Sequence, residues 1–287
     1  MRVATRIEHA QTVFKIVSAL VAEPLAKNEI IRSAGFACNH LDRMLLGFLG
    51  ETTDALSSRL ILERAAFSLR QSRGSVASIS LEAGYAEPEA FTKAFRNRFG
   101  LPPTSFRQRD DLSTNLMSPA NVHWCEQPDF GIRLPNGCVL RQRPSKTIAA
   151  LPFVGDYRRI PSRWRQLAAQ LPQRLVDNSN FKAVTVFHSD GMLTSHREEM
   201  RAHLGFLIDD QTIPTGFEVV EVSGGIFVEP PAAKDSNDHA VSWAEANRDW
   251  VPKNQPRRLE RPGFDEYQQI PADWASLKAQ ISLAVVG

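Results

Sequence analysis

Cysteine is scarce in this sequence: its 287 residues include three, Cys38, Cys125 and Cys138. Because they are odd in number and widely spaced, they predict neither a disulfide framework nor a zinc site. Long apolar runs are scarce as well, since the longest one near the N-terminus is interrupted by Lys15 and Glu23. No signal peptide or membrane-spanning segment is visible, so we expect a cytoplasmic protein that does not enter the membrane.

A large excess of charge is also missing, because the formal net charge is only +2. The charge is nevertheless unevenly distributed. Residues 1–110 hold 15 Lys and Arg against 11 Asp and Glu, whereas residues 111–287 hold 19 against 21. A basic first part and a mildly acidic second part fit a nucleic-acid-binding module joined to a different domain, and the chain is long enough for two domains.

The segment 74–107 has the pattern of two helices joined by a tight turn. Apolar residues recur at helical spacing up to Ala83, and Gly84 then allows a sharp turn. Gly100 ends the second helix, and the proline pair after it stops the helix. The second helix carries one apolar stripe, formed by Phe91, Ala94, Phe95 and Phe99. Two helices about a glycine turn, the second of them basic, are typical of a helix-turn-helix.

The residues from Ile79 to Arg107 follow the string I-x4-G-Y-x5-F-x3-F-R-x2-F-G-x2-P-x2-F-R. This string resembles the signature of AraC/XylS-type transcription regulators. The resemblance implies that residues 1–110 form an all-α domain with two helix-turn-helix units that binds double-stranded DNA. It also implies RNA polymerase as a candidate partner, with no cofactor, no metal and no catalytic residue. Two DNA-reading units on one chain leave the choice between monomer and homodimer open.

The first of the two units is predicted around Gly35, which supplies the turn before a helix with an inward stripe at Leu41, Leu45 and Phe48. It follows the family pattern more loosely, because Met44–Gly47 is apolar where the family is basic. Residues 53–71 lack Gly and Pro and resemble the linker helix of the family. A rigid helix between the units would let them occupy successive major grooves about 10 bp apart.

The side chains predicted to face DNA lie at the outward, N-terminal positions of each second helix. Arg43 and Lys93 suit guanine, Asn39 suits adenine, and Glu89 suits either cytosine or the helix dipole. Arg98 and Arg107 are interpreted as phosphate contacts or solvated charges. The complete predicted set is Asn39, Asp42 and Arg43 in the first unit and Pro88, Glu89, Thr92, Lys93 and Arg96 in the second.

Residues 111–122 are polar and without periodicity, and we interpret them as a linker. From residue 123 to residue 287 the pattern changes to strands and turns. Two strand-helix units, with Trp164 and Trp243 at similar places in their helices, indicate an internal duplication of a β-α-β-β unit. The predicted fold class is therefore multidomain: an all-α double helix-turn-helix followed by an α+β domain with an antiparallel sheet.

Several features recur along the second part of the chain: the triplet Gly155-Asp156-Tyr157, Trp164, a strand near Gly224-Gly225, the helix with Trp243 and Trp250, and the near-terminal Phe264-Asp265-Glu266-Tyr267. With these features, residues 123–287 resemble the GyrI-like effector-binding domain of multidrug-responsive regulators. The resemblance implies a cleft between the two halves in which an acidic side chain among aromatic rings holds a small lipophilic or cationic effector. The family's acidic position falls on Asp265, which is one methylene shorter, and Glu266 lies beside it. The candidate ligand-binding residues are Tyr157, Trp164, Trp243, Trp250, Asp265, Glu266 and Tyr267.

Two other functions stay open beside a transcription regulator. Some GyrI-like domains are hydrolases that use an acidic residue and a tyrosine, and the histidines His188, His196 and His203 with Asp190 invite an acid–base or metal interpretation, although they match no ligand motif. A partner-docking role, for example on a topoisomerase, is the third alternative. An enzyme consumes its ligand, a sensor returns it unchanged, and a docking domain ignores small molecules.

Overall fold

The computed structural model describes residues 3–22, 27–109, 122–124, 131–177, 181–189, 197–208, 213–250, 262–273 and 277–285. The chain divides into two compact units. One comprises His9–Leu134, and the other comprises Met1–Glu8 with Pro135–Gly287. Of the predicted linker 111–122, the structure describes only Val122. This residue belongs to the compact unit His9–Leu134. A search of the described helices finds no candidate for a membrane span.

The described residues up to 109 form helices joined by short turns, as predicted. The helices are α1 Val3–Ala22, α2 Lys27–Ala34, α3 Cys38–Leu49, α4 Thr53–Gln71, α5 Val76–Glu82, α6 Pro88–Phe99 and α7 Pro103–Arg107, and the short strand β1 Gly131–Arg133 follows in the same unit as α2 to α7. Helix α4 has the predicted bounds of the linker helix. Its N-terminus is capped by the Thr52 hydroxyl, which accepts a hydrogen bond from the backbone N–H of Ala55.

Glycine ends both second helices of the helix-turn-helix units. Gly50 after α3 and Gly100 after α6 have φ values of 73° and 76°, in the left-handed region that glycine adopts without steric cost. The proline pair after Gly100 stops α6 as predicted, but a further short helix begins at Pro103, where a missing N–H breaks no helical bond.

The second helix-turn-helix, formed by α5 and α6, packs against helix α4. One apolar cluster joins the C-terminal half of α4 to α5, α6 and α7. Its fully or nearly fully buried members are Leu62, Ala65, Ala66, Leu69, Ile79, Phe91, Phe95 and Phe106. Because α4 is shared in this way, the second helix-turn-helix is fixed to the helix that separates it from the first.

The unit formed by residues 135–287 is an antiparallel sheet with two longer helices. The strands are β2 Val139–Arg143, β3 Lys146–Val154, β4 Ala183–Phe187, β5 Arg201–Leu207, β6 Glu218–Val222, β7 Gly225–Glu229, β8 Gly263–Tyr267 and β9 Ala279–Ala284. The helices are α8 Ile160–Ala168, α9 Gln173–Val176 and α10 Ser236–Trp250. Along the sheet these strands follow the order β2-β7-β9-β8-β4-β5-β3-β6.

This strand order confirms the predicted duplication. The unit β3-α8-β4-β5 is repeated as β7-α10-β8-β9, and the two repeats meet where β4 pairs with β8 in the middle of the sheet. At the centre of that pairing Thr185 lies opposite Asp265, each the third residue of its strand. One further strand precedes each repeat in the chain and pairs with the other repeat. Strand β2 precedes β3 but pairs with β7, and strand β6 precedes β7 but pairs with β3.

The two faces of the sheet carry different side chains. Both α8 and α10 pack on one face, which we call the helix face, where Trp164 and Leu167 join a cluster with Ala183 and Phe206. The other side, the far face, holds a second cluster that includes Ile148, Val184, Val186, Phe227 and Phe264. Because side chains alternate along a strand, neighbours in sequence point to opposite faces.

Candidate functional site

The two helix-turn-helix units present helices of equal length to their surroundings. Helices α3 and α6 each have 12 residues. The first residue of α6 lies 50 positions after the first residue of α3, and the same holds for their last residues. Leu41 and Leu45 of α3 correspond to Phe91 and Phe95 of α6, and all four side chains are fully buried. The outward faces therefore correspond residue by residue as well.

The outward face of α6 is exposed as a DNA-reading helix requires. Pro88, Glu89, Lys93 and Arg96 are exposed, and Thr92 is half-buried. In α3, Asn39 and Arg43 are exposed, and the Arg43 Nε donates a hydrogen bond of 3.2 Å to the carbonyl oxygen of Asn39. All seven of these predicted residues are at least partly exposed to solvent.

Asp42 has a different position from the one we predicted for a base-reading residue. Its Oδ1 accepts hydrogen bonds from the Thr53 backbone N–H at 2.9 Å and from the Thr53 hydroxyl at 2.6 Å. Thr53 is the first residue of α4, so this carboxylate joins α3 to the start of the linker helix. Asp42 therefore orients the first unit and does not present its carboxylate to bases.

Two arginines predicted as phosphate contacts or solvated charges bind the protein itself. The Arg107 guanidinium donates to the carbonyl oxygens of Leu69 and Gly74, at 3.1 and 2.6 Å. Arg98 donates from Nη2 to Glu63 Oε1 at 3.1 Å. Both contacts fasten the second helix-turn-helix to α4 or to the turn that follows it.

Glu63 is the centre of a buried polar network on α4. Its carboxylate accepts hydrogen bonds from Arg59 Nη1 at 2.9 Å, from Arg98, and from the Trp124 backbone N–H at 3.1 Å, and His123 Nδ1 lies 3.3 Å away. Burial by itself raises the pKa of Glu63, but the hydrogen bonds and charges of His123 and Arg59 outweigh it and lower the pKa below its ordinary value. Glu63 is therefore held as a carboxylate.

A second buried carboxylate, Asp265, lies on the helix face of the sheet and is fully inaccessible to solvent. His239 Nε2 lies 2.6 Å from its Oδ2, the Trp243 Nε1–H donates to Oδ1 at 3.2 Å, and the Tyr267 hydroxyl donates to Oδ2 at 3.1 Å. Among the described residues no lysine or arginine contacts this carboxylate. Three of the predicted ligand-binding residues are thus brought together, with one residue, His239, that sequence reasoning missed.

The other repeat carries the corresponding contact without a charge. The Trp164 Nε1–H donates to the Thr185 hydroxyl at 3.1 Å, as Trp243 does to Asp265. The rings of Trp164 and Tyr267 are 6.3 Å apart and perpendicular, so Tyr267 connects the two contacts. Burial, followed by the charge of Asp265, raises the pKa of Tyr267 well above its ordinary value, and Tyr267 therefore stays a hydrogen-bond donor.

Three predicted ligand-binding residues lie apart from Asp265. Glu266 is on the far face, where it forms an ion pair with Lys146. Trp250 is buried two helical turns beyond Trp243, about 10 Å along α10. Tyr157 donates its hydroxyl to the carbonyl oxygens of Ser189 and Arg201, at 3.0 and 2.6 Å, outside the contacts of Asp265.

Two of the histidines singled out in the sequence meet on the sheet. His188 Nε2 and His203 Nδ1 are 2.6 Å apart, and His203 Nε2 lies 2.8 Å from Glu218 Oε1. His196 and Asp190 lie outside the described residues. Within the part of the chain that the structure describes, no group of three or more His, Cys, Asp or Glu side chains has the arrangement of a metal site.

Two family models match the chain over the regions just described. A helix-turn-helix domain model matches residues 30–109, and the GyrI-like small molecule binding domain model matches residues 138–285. The chain belongs to the GyrI-like small-molecule-binding domain family, and it carries an AraC-type helix-turn-helix domain in front of that domain. This confirms the two resemblances read from the sequence.

Curated relatives match about a third of the chain. The chain is 26% identical over 97 residues to the transcriptional regulator Rob of Salmonella typhimurium, which is 34% of this chain and 34% of that protein. It is 24% identical over 99 residues to the regulatory protein SoxS of the same species, 34% of this chain and 92% of that protein. The chain thus spans about a third of the length of Rob.

Solved structures are similar to parts of the chain as well. SAV2435 bound to tetraphenylphosphonium is 15% identical, with a TM-score of 0.36 over 52% of this chain and 93% of that chain. The ligand in that title is a ligand of SAV2435.

Proposed function

We propose that this protein is a sequence-specific DNA-binding transcription regulator whose C-terminal domain senses a small lipophilic or cationic molecule. The observation that carries the proposal is the pair of matched helices α3 and α6, each with exposed polar residues towards its N-terminus and each in contact with α4. Two such helices on one chain can enter successive major grooves of one duplex. RNA polymerase is the further partner that such a regulator would meet.

The proposed effector site is the surroundings of Asp265 on the helix face. Asp265 contacts Trp243 and Tyr267, Trp164 lies against Tyr267, and no lysine or arginine contacts this carboxylate among the described residues, so Asp265 is the group proposed to pair with a cationic effector. His239 is the only titratable base in contact with it among the described residues. Because Asp265 is fully buried, an effector reaches it only if the aromatic side chains above it move apart, which would couple binding to a change of conformation.

The test of DNA recognition is selection of binding sites from random duplex DNA with the full chain, followed by affinities at two salt concentrations. We expect a defined site with two half-sites about 10 bp apart. Lys93→Ala and Arg43→Ala should each relax the base preference in one half-site. Binding that ignores sequence and disappears as salt rises would be the phosphate-backbone contribution alone and would contradict the proposal.

A hydrolase is the second candidate, because an acid and a tyrosine are in contact at the same place. The raised pKa of Tyr267 keeps its hydroxyl protonated and directed at Asp265, which favours binding over nucleophilic attack. Prolonged incubation of the protein with a bound effector distinguishes the two: a sensor returns the compound unchanged, and an enzyme yields a product.

A further inference from the structure

Leu46 is an apolar side chain on a surface that is otherwise polar. It lies on α3 with 48% of its surface exposed. In the described part of residues 9–134, Leu46 and Leu81 are the two large apolar side chains with such exposure. The folded state gains little from an exposed leucine, since its apolar surface stays in water. A single exposed leucine is ordinary on a protein surface, so it is the position of Leu46 on α3 that decides whether it has a role.

The correspondence between α3 and α6 shows which face Leu46 belongs to. The shift of 50 positions that matches the buried residues of the two helices places Asn39 with Glu89, Arg43 with Lys93 and Leu46 with Arg96. Residues at spacings of four and seven lie on one side of a helix. Leu46 thus continues the predicted base-reading face of α3, at the place where α6 has an arginine.

The length of this face matches the spacing of stacked bases. Asn39 and Leu46 are seven residues apart, which is about 10 Å along the helix axis. Base pairs along one strand are about 3.4 Å apart, so this face spans about three base steps. Arg43 lies between the two, and all three side chains are accessible.

The chemistry of leucine selects one partner in the major groove. Guanine, adenine and cytosine present hydrogen-bonding groups there, which leucine cannot pair, whereas thymine presents its C5-methyl group. We propose, on the basis of the function proposed above, that Leu46 contacts a thymine methyl group and makes the first half-site thymine-dependent, whereas Arg96 gives the second half-site a charge contact instead. The protein then contacts the first half-site of the operator through an apolar side chain and the second through a charged one.

The experiment replaces thymine by deoxyuridine, which removes the methyl group and leaves base pairing intact. The first half-site is identified as the one whose base preference changes on Arg43→Ala. Each thymine in it is replaced singly, and the full chain is titrated. At one position the wild type should lose about fourfold in affinity, the equivalent of one methyl removed from water. Leu46→Ala should show no loss at that position and an unchanged response elsewhere.

Two variants serve as controls. Leu81→Ala removes the other exposed leucine, on α5, and should keep the full methyl dependence of the wild type. Leu46→Arg makes α3 resemble α6, so it should lose the methyl dependence and steepen the dependence of log affinity on log salt by about one. Circular dichroism of each variant verifies that the helices are intact.

The outcomes separate this inference from the proposed function. A first half-site without a thymine preference, or equal methyl sensitivity in wild type and Leu46→Ala, overturns the role of Leu46 and leaves the regulator intact. Selection that yields no defined site at all overturns both.

Discussion

Each unit of the molecule contains one buried carboxylate with a histidine beside it, and their other partners differ. Glu63 on α4 is surrounded by two arginines, Arg59 and Arg98, whose charge is permanent. Asp265 on β8 has Trp243 and Tyr267, which donate hydrogen bonds without carrying a charge. Fixed positive charge makes Glu63 part of the framework, whereas the polar partners of Asp265 are two neutral donors and His239.

The largest effect should come from breaking the Glu63 network. Glu63→Gln leaves Arg98 without its ionic partner, although Arg59 keeps its second contact with Glu51 at 2.9 Å. We therefore expect a loss of about 3 kcal/mol in the free energy of unfolding, the lower end for a broken buried pair. Urea denaturation measures it, with Glu82→Gln at the exposed end of α5 as the control. A loss equal to that of the control would refute the framework role.

The next effect compares the two tryptophan contacts of the duplicated sheet. A hydrogen bond to a charged group is worth about 1.5–3 kcal/mol, against about 0.5–1.5 for a neutral one. One double-mutant cycle combines Trp243→Phe with Asp265→Val, and the other combines Trp164→Phe with Thr185→Val. The coupling energy should be larger for Trp243 with Asp265 than for Trp164 with Thr185. Equal coupling energies would mean that the charge at Asp265 adds nothing to the contact.

A ligand-binding measurement compares Asp265 with Thr185, the residue paired with it in the other repeat. Tetraphenylphosphonium is a suitable lipophilic cation, and isothermal titration should show its affinity reduced about tenfold or more by Asp265→Asn, since this change removes the charge and little volume. Thr185→Val, at the paired position of the other repeat, should leave the affinity nearly unchanged. Equal affinities of wild type and Asp265→Asn would contradict the proposed site.

The smallest expected effect is the pH dependence of Glu63. Its pKa is lowered in the folded protein, so its stabilising contribution is complete above the pKa of an unfolded-chain glutamate and is lost as pH falls through the folded-state value. The difference in unfolding free energy between wild type and Glu63→Gln should shrink on acidification from neutral pH. A difference that grows instead would reverse the sign of this linkage.

The sequence predicted those parts of the fold that depend on local signals. The bounds of α4 and the glycine end of α6 follow from periodicity and from backbone preferences. The strands β5, β6 and β9 were missed. In β5 a glycine lies mid-strand and weakens the pattern, yet a Cβ at Gly205 would lie 2.1 Å from the Ala149 carbonyl oxygen, so the close approach of β3 requires it.

Residues of the candidate site were predictable from the sequence where the family pattern marks a single position. They were not predictable where a residue contacts a partner from a distant part of the chain. Asp265 and Tyr267 follow from the family pattern. His239 lies 26 residues before Asp265 in an ordinary amphipathic helix, and nothing local indicates that it reaches a carboxylate. Asp42 has the spacing of a base-reading residue, but its partner Thr53 is known only once α3 and α4 are placed together.

The contacts of residues 122–124 with α4 have a mechanical consequence. Arg59 donates to the Val122 carbonyl oxygen at 2.7 Å, and Glu63 accepts from the Trp124 backbone N–H. The chain that leaves the second helix-turn-helix is thus tied back to the middle of the helix between the two DNA-reading units. A displacement of residues 122–124 would therefore act directly on α4, the helix that separates α3 from α6.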